Sequence, residues 1–184
     1  MSMLKNSAFD EFVKNQQANA HSDVNWNAVR DEWLRRLDEL YSQIREFLKK
    51  YIDAGEIQLE TSSISLNEEN IGSYTAQQLT LKIGRKQVRF QPIGTLLIGS
   101  RGRVDVIGAG ITEARLVLIN KKFKRASDMI RISINFEGKL PLPPKEESGS
   151  VELAWRIVTS LPERLFVELT QETLFKMIME VANG

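Results

Sequence analysis

The sequence contains no cysteine and only one histidine, His21, among its 184 residues. Without cysteine, disulfides, a thiol nucleophile and cysteine-ligated zinc or iron–sulfur centres are excluded. A single histidine cannot supply the histidine sets that bind catalytic zinc or non-haem iron. We therefore expect neither a metal nor a cofactor. The absence of cysteine also fits a reducing compartment, so we expect a cytoplasmic protein.

Long apolar runs are also missing. No segment approaches the roughly 20 apolar residues of a membrane-spanning helix, and residues 1–14 lack the apolar stretch of a signal peptide. We therefore expect no membrane association. At 42% hydrophobic residues the chain can still bury a core, so one domain is the simplest organisation. We predict a flexible N-terminal arm at 1–22 and a single domain at 23–184, with an exposed Pro/Ser-rich loop at 138–150.

Charges of both signs are present in nearly equal number but are unevenly distributed along the chain. The formal net charge is +1. Residues 82–131 contain twelve basic and three acidic side chains, a balance of +9, so the rest of the chain carries −8. This segregation predicts either a local cationic surface or a cationic sheet that is balanced by acidic helices. Charge alone leaves both alternatives open.

The first part of the chain has the apolar spacing of a helix. Apolar residues recur at intervals of three and four from Trp26 to Tyr51, which places them on one helical face. Asp23 or Asn25 is a suitable N-cap, and Gly55 is a suitable stop after about residue 54. The pattern therefore predicts one long amphipathic helix.

After this helix the period changes to two. Apolar and polar residues alternate through most of the remaining chain, and the apolar run at 116–119 is typical of a buried strand. The alternation predicts one strand or two short ones at 57–66, and a hairpin around Gly84 that Pro92 ends after Phe90. Thr170 is the predicted N-cap of a closing helix. Short connections favour antiparallel pairing. We therefore predict an α+β fold, with a long N-terminal helix packed on a mainly antiparallel sheet of about seven to eight strands, and a C-terminal helix.

The basic residues of the central region cluster at predicted turns and strand ends. Because side chains at turns reach solvent, these clusters predict a cationic rim if they share one edge of the sheet, with Phe123 as an aromatic contact. The alternative is that they only protect strand ends against edge pairing. The predicted binding residues are Arg85, Lys86, Arg101, Arg103, Lys121, Lys122, Phe123, Lys124 and Arg125. From them we predict a non-catalytic binding domain whose partner is an acidic protein or a nucleic acid.

A second hypothesis is catalytic. Asp105 and the later segment 116–122, which ends in Lys122, are similar in outline to the core of the PD-(D/E)xK nucleases. In that family an aspartate and an acid-x-lysine hold a metal ion near the scissile phosphate. The resemblance covers 105–122 and implies a metal-dependent nuclease or phosphodiesterase using Asp105, Glu113 and Lys122. The sequence departs from the family at Asn120, where a carboxylate, the ligand that Mg²⁺ prefers, is required. We therefore rank non-catalytic binding above catalysis.

The long helix predicts a further surface. At a spacing of 3.5 residues, seven of eight positions from Trp26 to Tyr51 are apolar and only Arg30 interrupts the seam, as in coiled coils. Phe47 fits this seam but not the narrower stripe that faces a sheet. The helix is therefore either covered by its own domain or the interface of a homodimer or structural subunit, formed through residues 24–54. The predicted interface residues are Trp33, Leu40, Phe47 and Tyr51.

Overall fold

A computed structural model describes residues 25–95, 100–109, 113–125, 152–159 and 165–183. Two α-helices and seven β-strands lie within them. The elements are α1 (Trp26–Asp53), β1 (Ile57–Glu68), β2 (Gly72–Ile83), β3 (Lys86–Gly94), β4 (Arg103–Ile107), β5 (Glu113–Asn120), β6 (Leu153–Val158), β7 (Phe166–Glu168) and α2 (Gln171–Asn183). The predicted arm at 1–22, with His21, and the predicted loop at 138–150 lie outside the described residues.

The seven strands form one antiparallel sheet in which every strand pairs with the next along the chain, from β1 to β7. With one helix before the sheet and one after it, the predicted α+β class is confirmed. In such a meander, successive connections alternate between the two ends of the sheet. The β2–β3 turn lies at one end, which we call the Gly84 end. The β3–β4 and β5–β6 connections lie at the other, which we call the Arg101 end.

Helix α1 begins and ends where the sequence pattern predicts. Asn25 is the N-cap, and its Oδ1 accepts a hydrogen bond of 3.0 Å from the backbone N–H of Ala28. Gly55 follows the C-cap Ala54 with φ +74°, a conformation that glycine adopts without a steric penalty. Between these caps the helix buries one face: Trp33, Leu37, Leu40, Tyr41, Ile44 and Leu48.

Both helices pack on the same face of the sheet, which we call the inner face. Alternation along each strand supplies its core side chains, among them Val88, Phe90, Val104, Val106, Leu116, Leu118, Trp155 and Ile157. Helix α2 adds Leu174, Ile178 and Val181 to this cluster. Burying each such side chain contributes about 1.5–3 kcal/mol, so this layer holds the helices to the sheet. The opposite face of the sheet is the outer face.

The β1–β2 hairpin bends at the middle of its strands. The sequence left open whether β1 is one strand or two short ones, and the structure has one continuous twelve-residue strand. Ile57 is buried and Leu59 half-buried in the first half, whereas Ile64 and Leu66, of the opposite parity, contact the core in the second. Because side chains alternate between faces, this change of phase across Thr61–Ser63 requires the hairpin to bend towards the helices.

Pro92 does not end a strand, contrary to the prediction that it closes the hairpin after Phe90. Strand β3 continues through Pro92 to Gly94, and the register with β4 shifts between these two residues. The nitrogen of Pro92 faces β2, whose pairing with β3 ends at Phe90, so the ladder does not need its missing N–H. The carbonyl of Gln77, the residue of β2 that this register would place opposite Pro92, accepts from the hydroxyl of Tyr41 instead. Gly94, at φ +144°, completes this irregular end of the strand.

Candidate binding surface

Arg101 is held at the end of the sheet by backbone contacts with β5. Its N–H donates to the carbonyl of Leu118 over 2.8 Å, and the N–H of Leu118 donates to the carbonyl of Gly102 over 2.9 Å. Gly102 lies directly on the ring of Trp33, since a Cβ built on this glycine would be 2.3 Å from that ring. The backbone is therefore fixed on the core, while the side chain of Arg101 is exposed.

Lys121 and Lys122 follow the end of the neighbouring strand. The N–H of Lys121 donates to the carbonyl of Glu152 over 2.8 Å. The side-chain Oδ1 of Asn120 accepts from the N–H of Lys122 over 3.0 Å, and its carbonyl accepts from the N–H of Phe123 over 2.9 Å. Asn120 is therefore a turn-forming residue, and the turn leaves both lysine side chains exposed.

The topology brings these three side chains to the same end of adjacent strands, and we call Arg101, Lys121 and Lys122 the cationic end. Among the described residues, the side chains of Arg101 and Lys122 form no hydrogen bond and no ion pair. Lys121 pairs with Glu152 at 3.4 Å, but both side chains are more than half exposed, so the pair is weak. Within the described residues, the charge of the cationic end is therefore largely uncompensated.

The other predicted binding residues lie elsewhere. Arg85 lies in the turn at the Gly84 end and Lys86 begins β3 beside it, opposite the cationic end. The carbonyl of Lys124 accepts a hydrogen bond of 2.9 Å from the N–H of Phe166, and Arg125 forms an isolated β-bridge with Leu165. Lys124 and Arg125 therefore lie beside the start of β7. Phe123, the predicted aromatic contact, is half-buried. The structure thus distributes the nine residues over several places.

Arg103 adjoins the cationic end but its charge is neutralised. On the outer face, its Nε and Nη2 donate to the two carboxylate oxygens of Asp105 over 2.6 and 2.7 Å. Asp105 is 8% exposed, so this bidentate pair is largely shielded from water. Arg103 therefore serves chiefly to satisfy a buried carboxylate.

Sequence reasoning missed an arginine cluster on the outer face. The register places Arg103 and Arg156 on opposite sides of Val117, and Arg115 two residues before it on the same strand. Arg156 is 9% exposed, and its partner Glu168 is 3.9 Å away. The alternation of residues in β5 already indicated in the sequence which face Arg115 occupies. The approach of Arg103 and Arg156 to it depends on the pairing of three strands.

The helices do not balance the positive charge of the sheet. Helix α1 contains six basic and six acidic residues, several of them paired within the helix, as in the contacts of Arg35 with Glu32 and Glu39. Residues 55–81 contain four acidic side chains and no basic one. The acidic counterpart of the basic strands therefore includes the β1–β2 hairpin, and the charge is segregated across the sheet.

Two residues of the nuclease hypothesis, Asp105 and Lys122, lie apart in the sheet. Asp105 is hydrogen-bonded by Arg103 and pairs with Arg115 of β5. Arg115 lies five residues before the end of β5 at Asn120, so roughly 17 Å along the strand separates Asp105 from that end. Lys122 lies beyond that end. The side chain of Glu113 lies outside the described residues. Within the described part of the chain, no group of three or more acidic or histidine side chains could hold a metal ion.

The apolar residues that predicted a helix-mediated dimer have contacts within the chain. Trp33 and Leu40 are 1% and 0% exposed in the core. Tyr51 packs edge-on against Phe175 of α2, with ring centroids 5.7 Å apart. Phe47 is half-buried against the core, and its carbonyl accepts from Gln171 of α2 over 2.9 Å. The C-terminal helix therefore accounts for part of the broad apolar stripe.

Two shallow grooves flank α1. One, of about 220 Å³, lies against β6 and β7 and is lined by Glu39, Gln43, Trp155 and Arg156, among others. The other, of about 430 Å³, lies between α1 and Leu59 of β1. Neither groove is lined by a residue of the cationic end.

Comparison with known proteins gives no assignment, because no protein-family model, curated protein or solved structure is significantly similar to this chain. Among the described residues, no helix is both long and apolar enough to cross a membrane.

Proposed function

We propose that this protein is a binding domain without catalytic activity, and that its partner is an acidic segment of another protein that docks on the cationic end. The observation that carries the proposal is the juxtaposition of Arg101, Lys121 and Lys122 on the ends of adjacent strands. Arginine and lysine at exposed turns bind carboxylates through charge-assisted hydrogen bonds and accelerate the encounter with an acidic partner.

The surrounding side chains favour an acidic protein over a nucleic acid. Binding of single strands uses exposed aromatic rings on which bases stack. In the part of the chain that the structure describes, Phe123 is the aromatic residue next to the cationic end, and it is half-buried. Trp33, beneath Gly102, is 1% exposed. Charge without a stacking surface suits a flexible acidic polypeptide better.

The experiment compares two double variants that change the net charge equally. Arg101→Ser with Lys122→Ser removes two charges from the cationic end, and Arg85→Ser with Lys86→Ser removes two from the Gly84 end. Binding of fluorescent poly-glutamate, heparin, DNA and RNA is measured at low salt and again at higher salt. We expect the first variant to bind poly-glutamate at least tenfold more weakly, and the control to remain within twofold of the wild type.

Three outcomes contradict the proposal. Equal losses in both variants would mean that binding follows net charge and not a particular surface. Tighter binding of DNA or RNA than of poly-glutamate, with an affinity that falls steeply with salt, would identify a nucleic-acid-binding protein instead. Failure of the wild type to bind any of the four polyanions would reject the cationic end as a binding surface.

A further inference from the structure

Strand β1 forms one edge of the sheet that the structure describes. It is the first strand of the sheet and pairs only with β2, so among the described residues no strand covers its other side. Natural sheets usually protect such an edge with lysine, proline or a short strand. Strand β1 has twelve residues, neither proline nor a basic residue, and two acidic residues, Glu60 and Glu68. As far as the structure describes the chain, this edge is available for pairing with another strand.

The register identifies the backbone groups on this edge. A two-residue hairpin turn at Gly84–Arg85 makes Ile83 and Lys86 a mutually hydrogen-bonded pair, so alternate residues of β2 bond to β3. Consistent with this, the carbonyl of Gln77 accepts from the hydroxyl of Tyr41 instead of from β1. Its partner Ser63 therefore directs its N–H and C=O outward. The outward groups belong to Ile57, Leu59, Thr61, Ser63, Ser65 and Asn67.

This set is symmetric about one residue. The outward residues run from Ile57 to Asn67, and Ser62 lies at their midpoint. The change of burial phase across Thr61–Ser63 puts the bend of β1 at the same point. A twofold axis between Ser62 and its counterpart in a second copy would therefore relate two equally bent strands, with Thr61 opposite Ser63 of the second copy. An unrelated extended peptide would first have to adopt this bend.

The charges near the edge also permit self-pairing. Glu60 forms an ion pair of 2.5 Å with Lys82, and in the symmetric register it lies opposite Ile64 of the second copy. The two copies of Glu60 would be roughly 14 Å apart, beyond the screening length of about 8 Å at physiological salt. The charged residues of the adjoining groove are Arg45, Lys49, Glu46 and Asp53, two of each sign. This groove therefore adds no net charge, whereas the symmetric register places Glu68 opposite Glu56 of the second copy, a like-charge contact at each end of the paired edges.

We propose that two copies of this chain associate through antiparallel pairing of their β1 edges, centred on Ser62, to form one continuous sheet. Six outward residues in each copy would then exchange about twelve backbone hydrogen bonds. This inference is independent of the cationic end, which lies at the ends of β4 and β5.

Hydrogen exchange of the intact protein, measured residue by residue by NMR, tests this pairing without a mutation. In the dimer, outward and inward amides of β1 should be protected to similar degrees at high micromolar concentration. On dilution, the odd-numbered amides from 57 to 67 should lose protection while the even-numbered ones keep it. Protection that alternates between odd and even residues at every concentration, together with sedimentation as a monomer, would overturn the proposal.

Sedimentation of variants gives a second test. Ser63→Pro removes an outward N–H that the β1–β2 ladder does not use, and should weaken association at least tenfold. Ser63→Ala is the matched control, because it loses the same side-chain hydrogen bond from Gln77 but keeps the N–H. Phe47→Glu changes the helix and should leave the dimer intact. Dissociation by Phe47→Glu but not by Ser63→Pro would show that the interface is the helix, and circular dichroism verifies that each variant is folded.

Discussion

Gly102 and Trp33 are in such close contact that no side chain fits between them. A Cβ on Gly102 would be 2.3 Å from one carbon of the indole ring and 2.5 Å from another. Both residues are buried. The contact fixes the loop that carries Arg101, so the position of the cationic end depends on the absence of a side chain at residue 102.

Gly102→Ala should destabilise the protein by about 1–3 kcal/mol, because the added methyl group must displace a tightly packed ring. Urea unfolding, followed by circular dichroism, measures the free energy of unfolding. Trp33→Phe provides the control, since the smaller ring leaves room for the methyl group. The cost of Gly102→Ala should be smaller in the Trp33→Phe background, and equal costs in both backgrounds would contradict the contact.

Stability should fall at alkaline pH because of two tyrosines. Burial raises the pKa of Tyr41, and burial together with the hydrogen bond to Glu68 raises that of Tyr74. In the unfolded chain both ionise near pH 10, so above this pH the native state retains more protons. The free energy of unfolding is therefore unaffected below about pH 10 and decreases above it, by up to about 1.4 kcal/mol per pH unit for each tyrosine.

Urea unfolding at several values between pH 8 and pH 11.5 measures this slope. Tyr41→Phe and Tyr74→Phe should each make the decrease shallower, because phenylalanine has no proton to lose. A slope that neither substitution changes would mean that other groups cause the alkaline loss.

Asp105→Asn should lower stability without abolishing any activity. The substitution leaves the guanidinium of Arg103 in a largely buried place without its carboxylate partner, at a cost of about 2 kcal/mol. Glu152→Gln is the control and should have little effect, because that carboxylate is 77% exposed.

The same proteins test the nuclease hypothesis. We expect the wild type to cleave neither DNA, RNA nor a phosphodiester model substrate with Mg²⁺ or Mn²⁺. Reproducible metal-dependent cleavage that Asp105→Asn abolishes would instead favour the catalytic hypothesis, despite the engagement of Asp105 by Arg103.

The local pattern of the sequence determined the elements. Asn25 and Gly55 fixed the ends of α1 because capping depends on residues within one helical turn. The alternation of apolar residues determined the strands and the class of the fold, since a period of two needs only the strand itself. Pro92 was misinterpreted because its tolerance depends on where the pairing of β3 with β2 ends, which is a property of two paired strands.

The tertiary structure decided which of these features meet. Arg101, Lys121 and Lys122 share one end of the sheet while Arg85 lies at the other, and strand order, which local sequence does not specify, sets this arrangement. Phe175 of α2 covers Tyr51, a contact between residues more than a hundred positions apart. The charge of a segment and its apolar period depend only on residues close together in the sequence. A surface forms from residues that strand pairing and helix packing bring together from distant parts of the sequence. For that reason the sequence by itself determined the secondary structure, and only the folded chain determined which charges act together.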